Sequence, residues 1–239
     1  MTYFAIVKHN VHIADVNMNR LSLQDRAQII FLFVEGNSLR AITRLTGKSI
    51  NTVTKLLLDV GTACDRYQNE NLRNLKCKLV QVDEIWSFVG MKEEDVLPIR
   101  NGDFVRGDVY TWVAIDADTK LILSWLVGER STLHARVFVD DLASRITNRI
   151  QLSSDGHKAY LQAVEDAFGG EIDYAIIHKL YGTPQGEGNE RRYSPSECCG
   201  TICGTILGDP YEKHVSTSCV ERQNLTMRRS MRRFTRLTN

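Results

Sequence analysis

The sequence predicts an α/β protein, a mixed sheet with flanking helices, preceded by a small all-α domain, and three observations predict it. From Leu21 to about Leu72 apolar residues recur at helical spacing, broken at Glu35-Gly36-Asn37 and at Thr46-Gly47-Lys48. From Lys78 the period becomes that of strands, in KLVQVDEIWSFVG, DVYTWVAIDAD and KLILSWLVGER. After these, helical and strand-like segments alternate: HARVFVDDLASRIT, RIQLSSD, KAYLQAVEDAF, EIDYAIIHKL. Three strands followed by such alternation suit a mixed sheet with helices packed on it.

The first helix is expected over LSLQDRAQIIFLFV, the second over SLRAITRL with Ser38 as cap, and the third from SINTVTKLLLDV with Ser49 as cap. In the third, Ile50, Val53, Leu57 and Val60 form an inward stripe, which turns Asn51, Thr52 and Lys55 outward. A short helix, a Gly-containing turn and a capped helix with polar side chains at its start suit a helix-turn-helix entering a major groove. A plain helical bundle is the alternative. Among the strands, Asp118-Thr119 reads as a tight hairpin, served by Asp116 and Asp118. Residues 181–217, rich in Gly, Pro, Ser and Cys, are expected to be a long irregular insertion, functional or mobile.

Composition excludes several classes. A chain of 239 residues, 43% hydrophobic and 25% charged, is ordinary for a globular protein with one good core and an accessory domain. Its longest apolar runs, such as IIFLFV, fall far short of the roughly 20 residues that cross a bilayer. No signal peptide opens the chain, which places it in the cytoplasm. Six cysteines form no C-x-x-C pair and read as scattered reduced thiols, with Cys198, Cys199 and Cys203 left as a loose cluster of soft metal ligands in the alternative. The net charge of +1 conceals a contrast: residues 221–239 hold six Arg and one Glu. A basic segment of that kind suits a polyanionic partner.

Three carboxylates stand out. Asp83 lies mid-strand, where a charge is disfavoured; Asp155 ends a strand at SSDGH, where Gly156 lets the chain turn; Glu221 begins the last helix. Convergence of the three would need cations between them, Mg²⁺ being the natural occupant, whereas in the alternative each is a separate surface charge. Strand alternation sends Glu84 to the face opposite Asp83, as a structural or exposed residue. His157 and His214 adjoin the second and third acids in sequence and are read as solvated, with substrate contact as the alternative, while Trp86, Trp112 and Trp125 are assigned to the core rather than to base-stacking platforms. On a helical wheel Val220, Met227, Met231 and Phe234 share an apolar stripe; Glu221, Asn224, Arg228 and Arg232 lie beside it; Arg222, Arg229, Arg233 and Arg236 cover the far side.

The segments VQVDEIWSFVG, TWVAIDADTK, LASRITNRIQLSSDGHKAYLQAVEDAFG and STSCVERQNLTMRRSMRRFTRLTN, in this order, resemble transposases of the insertion-sequence-one family. The resemblance covers roughly residues 18–239. It implies a ribonuclease-H-like catalytic core over 75–239 behind a helix-turn-helix DNA-binding domain over 18–74, with 1–17 as an extra segment, native or not. It implies that Asp83, Asp155 and Glu221 are the acidic triad of a DDE recombinase, Glu221 within an E-R-x-N-L block that here reads ERQNL. Two Mg²⁺ ions, replaceable by Mn²⁺, would support DNA cleavage and strand transfer. The implied partners are the element's terminal inverted repeats, target DNA and further copies of the chain, with a nucleoid association when bound. DNA contacts are expected from Asn51, Thr52, Lys55, Arg222, Asn224, Arg228, Arg229, Arg232, Arg233 and Arg236. The chain stops 18 residues after Glu221, where relatives run on, so a truncated DNA-binding remnant that represses transposition is the alternative.

Overall fold

In the computed structural model, residues 20–90, 92, 107–182 and 198–234 are described. The segment 1–17, the centre of the expected insertion and Arg236 lie outside them. The chain divides into two compact units between Leu58 and Asp59.

The first unit holds α1 (Leu23–Val34), α2 (Leu39–Thr46) and the start of α3 (Ile50–Asn71). Ser38 and Ser49 cap their helices as the sequence implies, while Ser22, expected inside the first helix, caps it instead. Ser22 and Ser38 accept at their side-chain oxygens from the backbone N–H groups of Asp25 and Ala41, and Ser49 does the same for Thr52. Gly47 closes α2 in the left-handed region at φ 67°, which L side chains rarely adopt. Ile29, Ile42 and Val53, one per helix, are fully buried, and Leu56 packs against them. The stripe on α3 therefore runs through Val53 and Leu56. Ile50 and Leu57, expected inside, are 41% and 42% exposed, because three short helices enclose little more than one turn of α3.

The second unit is a six-stranded mixed sheet of order β3-β2-β1-β4-β5-β6 with flanking helices. Its strands are β1 (Leu79–Val89), β2 (Gly107–Asp116), β3 (Ile122–Gly128), β4 (Ile150–Ser154), β5 (Ile172–Tyr181) and β6 (Cys198–Leu207), and its helices are α4 (Thr132–Arg145), α5 (Ala159–Phe168) and α6 (Ser218–Ser230). β1, β2 and β3 pair antiparallel, β4 and β5 continue parallel to β1, and β6 is antiparallel to β5. The β2–β3 hairpin turns where expected: Asp116 accepts from both the backbone N–H and the hydroxyl of Thr119.

Alternation along the strands sorts two cores. Val80 and Val82 of β1, with Trp112, Leu123, Ile150, Leu152 and Tyr174, face α4 and α5 and bury Phe138, Leu142, Tyr160 and Val164. On the other face Ile85, Val113 and Ile115 meet Val220 of α6, with Met227 and Phe234 alongside.

Three expectations need correction here. β6 is an ordered strand within the span expected to be irregular; its Gly-rich sequence CCGTICGTIL carries a weak strand signal because most of its residues are exposed. Met231 is 46% exposed, since α6 ends at Ser230 and a 3₁₀ turn over Arg232–Phe234 replaces the α-helical wheel. Trp125 is 45% exposed and donates its indole N–H to Gln68 at 2.7 Å, so of the three tryptophans Trp112 is the fully buried one.

Candidate metal centre

β4 pairs with β1 only along Leu79, Val80 and Gln81, so beyond Gln81 one edge of β1 has no strand beside it among the described residues. Asp83 and Glu84 lie on that open stretch. Their side chains leave on opposite faces, as strand alternation requires, but with no neighbouring strand both can bend round the edge. Asp155 follows the last residue of β4 and reaches the same gap. One carboxylate oxygen from each of Asp83, Glu84 and Asp155 lies within 4.8 Å of the other two. A cluster of this kind can hold a metal ion.

The backbone N–H of His157 donates to Asp155 Oδ1 at 3.0 Å, in a turn where a Cβ on Gly156 would lie 2.1 Å from the His178 ring. Glycine is needed there for close approach. Arg130, after β3, donates to Glu84 Oε2 at 3.1 Å and lies 3.6 Å from Asp155 Oδ2. The Glu84 side chain is 3% exposed, against 42% for Asp155. Glu84 is thus neither exposed nor remote from the other acids, because its face of the sheet opens into the same gap. His157 is likewise not a solvated loop histidine: its ring packs 5.8 Å from Trp112 and 5.9 Å from Tyr160. His214 packs edge-on to Tyr211.

The helix α6 is brought to the site by a residue that carried no obvious signal. Gln81, 4% exposed, accepts at Oε1 from the backbone N–H groups of Cys219 and Val220 at 2.8 and 3.2 Å, taking the place of an N-cap. Gln151 similarly exchanges two hydrogen bonds with the backbone of Tyr211. Buried glutamines on central strands are the available clue, since such groups need a partner. In the second turn of α6, Asn224 is 7% exposed and donates to Asp83 Oδ2 at 2.7 Å. Asn224 is therefore turned to the acid rather than to the surface where a DNA contact was expected.

Glu221 occupies the first turn of α6 but not the tight cluster. Its Oε1 is paired with Lys179 of β5 and accepts from the Thr217 hydroxyl at 2.5 Å. It is near enough to add repulsion at Asp83. Arg228 is half-buried and approaches the Trp86 carbonyl at 3.4 Å, whereas Arg222, Arg229, Arg232 and Arg233 are exposed. In the first unit Asn51 and Lys55 are exposed, and the Thr52 hydroxyl is 2.8 Å from that of Ser49. Cys198, Cys199 and Cys203 are exposed along β6. Cys199 and Cys203 are four residues apart on an extended strand, roughly 13 Å, too far to share an ion.

Burial pushes the Asp83 carboxyl up to about 6, with Asp155 and Glu221 adding to the shift and the Glu84 backbone and Asn224 opposing it. Burial pushes Glu84 up to about 7, opposed by Tyr160 and Arg130 and reinforced by Asp155 and Asp83. Burial, then the Glu84 charge, raises the Tyr160 hydroxyl. Because both carboxyls titrate higher in the folded chain than in the unfolded one, where they start from 3.8 and 4.5, the folded state holds more protons between those values. Stability of the metal-free fold should accordingly fall as pH rises through the window from 3.8 to about 7 and level off above it. Urea unfolding in EDTA should give a lower midpoint at pH 8 than at pH 5, and the Asp83→Asn/Glu84→Gln double variant should lose most of that difference.

The donor set fits a hard divalent cation. Its oxygens are carboxylates, which suit Mg²⁺ or Mn²⁺ better than softer metals, and Glu84 Oε1, the Tyr160 hydroxyl and Asn224 Oδ1 are buried without a hydrogen-bond partner.

Among the described residues no helix is long and apolar enough to cross a membrane. The sequence matches no protein-family model and no curated protein. A solved structure to which the chain is similar is that of the piggyBac transposase in a synaptic complex with hairpin DNA, at 11% identity and a TM-score of 0.40. The match covers 94% of this chain, which spans 61% of that one.

Proposed function

We propose that the protein is a DNA transposase of the DDE type, binding the ends of an insertion sequence and catalysing metal-dependent cleavage and strand transfer. The observation that carries this reading is the convergence of Asp83 and Asp155 at the open edge of β1, with Glu221 and Asn224 brought beside them on α6. The order and directions of β1 to β5 are compatible with the ribonuclease-H-like core that the resemblance to insertion-sequence-one transposases implies, and α1 to α3 with a helix-turn-helix domain.

Asp83 and Asp155 would hold divalent cations, with Glu221 joining once its carboxylate leaves Lys179. Such ions supply an activated water or 3′-hydroxyl and offset charge on the leaving oxygen. Asn224 fixes the Asp83 carboxylate through its amide N–H, and Gln81 fixes the start of the helix that carries Glu221. Asp155, half open to solvent, leaves a path by which a phosphodiester reaches the acids. The exposed Arg222, Arg229, Arg232 and Arg233 and the more enclosed Arg228 pair with phosphates along the DNA, as Arg236 would.

A gel shift on element ends combined with a Mg²⁺-dependent cleavage assay tests the proposal. Binding without cleavage under any divalent cation would favour the second reading, a DNA-binding remnant that represses transposition.

Recognition is assigned to the first turns of α3. Replacing Asn51, Thr52 and Lys55 by alanine should reduce discrimination between element ends and random duplex, each lost base contact being worth about 1 to 3 kcal/mol. Competition binding measures it, and unchanged discrimination would move recognition elsewhere.

A further inference from the structure

We infer that Glu84 is a ligand of a divalent cation held between the open edge of β1 and the end of β4, together with Asp83 and Asp155. The inference rests on the metal-dependent reading above and departs from it in one respect: the tighter ion is held by two consecutive residues of one strand and Asp155, without Glu221.

The first argument is position. The ligand oxygens of Asp83, Glu84 and Asp155 lie within 4.8 Å of one another, so that an ion between them would reach ordinary metal–oxygen distances with small side-chain movements. Glu221 is differently engaged, by Lys179 and Thr217.

The second argument is the state of the surrounding polar atoms. The Glu84 side chain is 3% exposed, and its Oε2 has a donor in Arg130; Oε1 is buried with no donor in hydrogen-bond geometry, although the Tyr160 hydroxyl is near enough to pull the carboxyl's pKa down. Tyr160 is fully buried beside it, with its hydroxyl also outside hydrogen-bond geometry. Buried polar atoms left in this way are uncommon. A cation on Oε1 would satisfy the carboxylate, and a small closure would let the Tyr160 O–H donate to it and orient it, as outer groups do around metal ligands.

The third argument is charge. Among the described ion pairs a single guanidinium, Arg130, serves Glu84 and Asp155, and none serves Asp83. Once all three carboxylates are ionised, one guanidinium leaves a deficit that a divalent ion matches.

Isothermal titration of the whole chain with MnCl₂, after EDTA and dialysis, tests this without any need for catalysis. Glu84→Gln should weaken the tightest Mn²⁺ site about tenfold or more, as Asp83→Asn and Asp155→Asn should, while Glu221→Gln leaves it within about twofold and Tyr160→Phe has an intermediate effect. Should Glu84→Gln fail to fold, Glu84→Asp keeps the charge but shortens the side chain, and must weaken the site likewise. If Asp83→Asn and Asp155→Asn lose Mn²⁺ but Glu84→Gln and Glu84→Asp bind within twofold of wild type, the inference is wrong and the metal-dependent reading stands. If the wild-type chain binds no Mn²⁺, both are wrong. Loss of Mn²⁺ in Glu84→Gln from a protein that cleaves no DNA would uphold the inference and sink the transposase reading.

Discussion

Asp155→Asn is expected to leave binding to element ends within a few-fold of wild type while lowering Mg²⁺-dependent cleavage more than about a hundredfold. Loss of a group that merely supports a metal ligand costs 10- to 100-fold, and Asp155 would itself be a ligand. The substitution keeps the side chain's volume and the acceptor for the His157 N–H, so the turn after β4 should survive. Asp83→Asn should behave alike, although its amide must also accept the Asn224 N–H that now meets Asp83 Oδ2. Glu221→Gln should abolish cleavage too, and it releases Lys179 from its partner. Single-turnover cleavage at saturating enzyme is the measurement. A rate within a few-fold of wild type in any one variant removes that residue from the set.

The largest effect on stability is expected from Trp112→Ala. Trp112 is fully buried at the centre of β2, packed 5.5 Å from Tyr160 and 5.9 Å from Phe138, and its indole N–H donates to the Glu129 carbonyl. Removing it leaves a large cavity between the sheet and both α4 and α5, at a cost of about 3 to 5 kcal/mol. Trp125→Ala should cost about 1 kcal/mol or less, since that ring is nearly half exposed and loses one hydrogen bond to Gln68. Urea unfolding followed by far-ultraviolet circular dichroism separates the two. Equal losses would mean that the core is not centred on β2.

Much of this architecture was legible because local and long-range requirements agree. Two serines, Ser38 and Ser49, stand where helices begin, Gly47 where one ends, and alternation in LVQVDEIWSFV and DVYTWVAID marks two long central strands. β6 was not legible because it is an edge strand that buries almost nothing. Leu57 and Met231 were misplaced for a different reason: a wheel assumes that a helix is covered along its whole length, whereas the first unit encloses little more than one turn of α3 and α6 stops at Ser230. At the acidic cluster, Asp83 and Asp155 could be singled out as charges in costly places. Glu84 could not, since alternation correctly puts it on the other face and says nothing of a neighbouring strand that ends early. Gln81 and Asn224 act through partners 139 and 141 residues away, separations that no local pattern reveals.

The early end of β4 also bears on how the protein avoids its own kind. Beyond Gln81, β1 has no strand on one side among the described residues, in a sequence whose residues Val82, Ile85 and Trp86 favour strand formation. Open edges of this composition recruit strands from other molecules; here Arg228 approaches the Trp86 carbonyl instead. Asp83 and Glu84 stand on that stretch, held by Asn224 and Arg130 respectively. A strand from a second copy would have to displace those contacts to pair with it, so the side chains that frame the acidic cluster also stand in the way of edge-to-edge association.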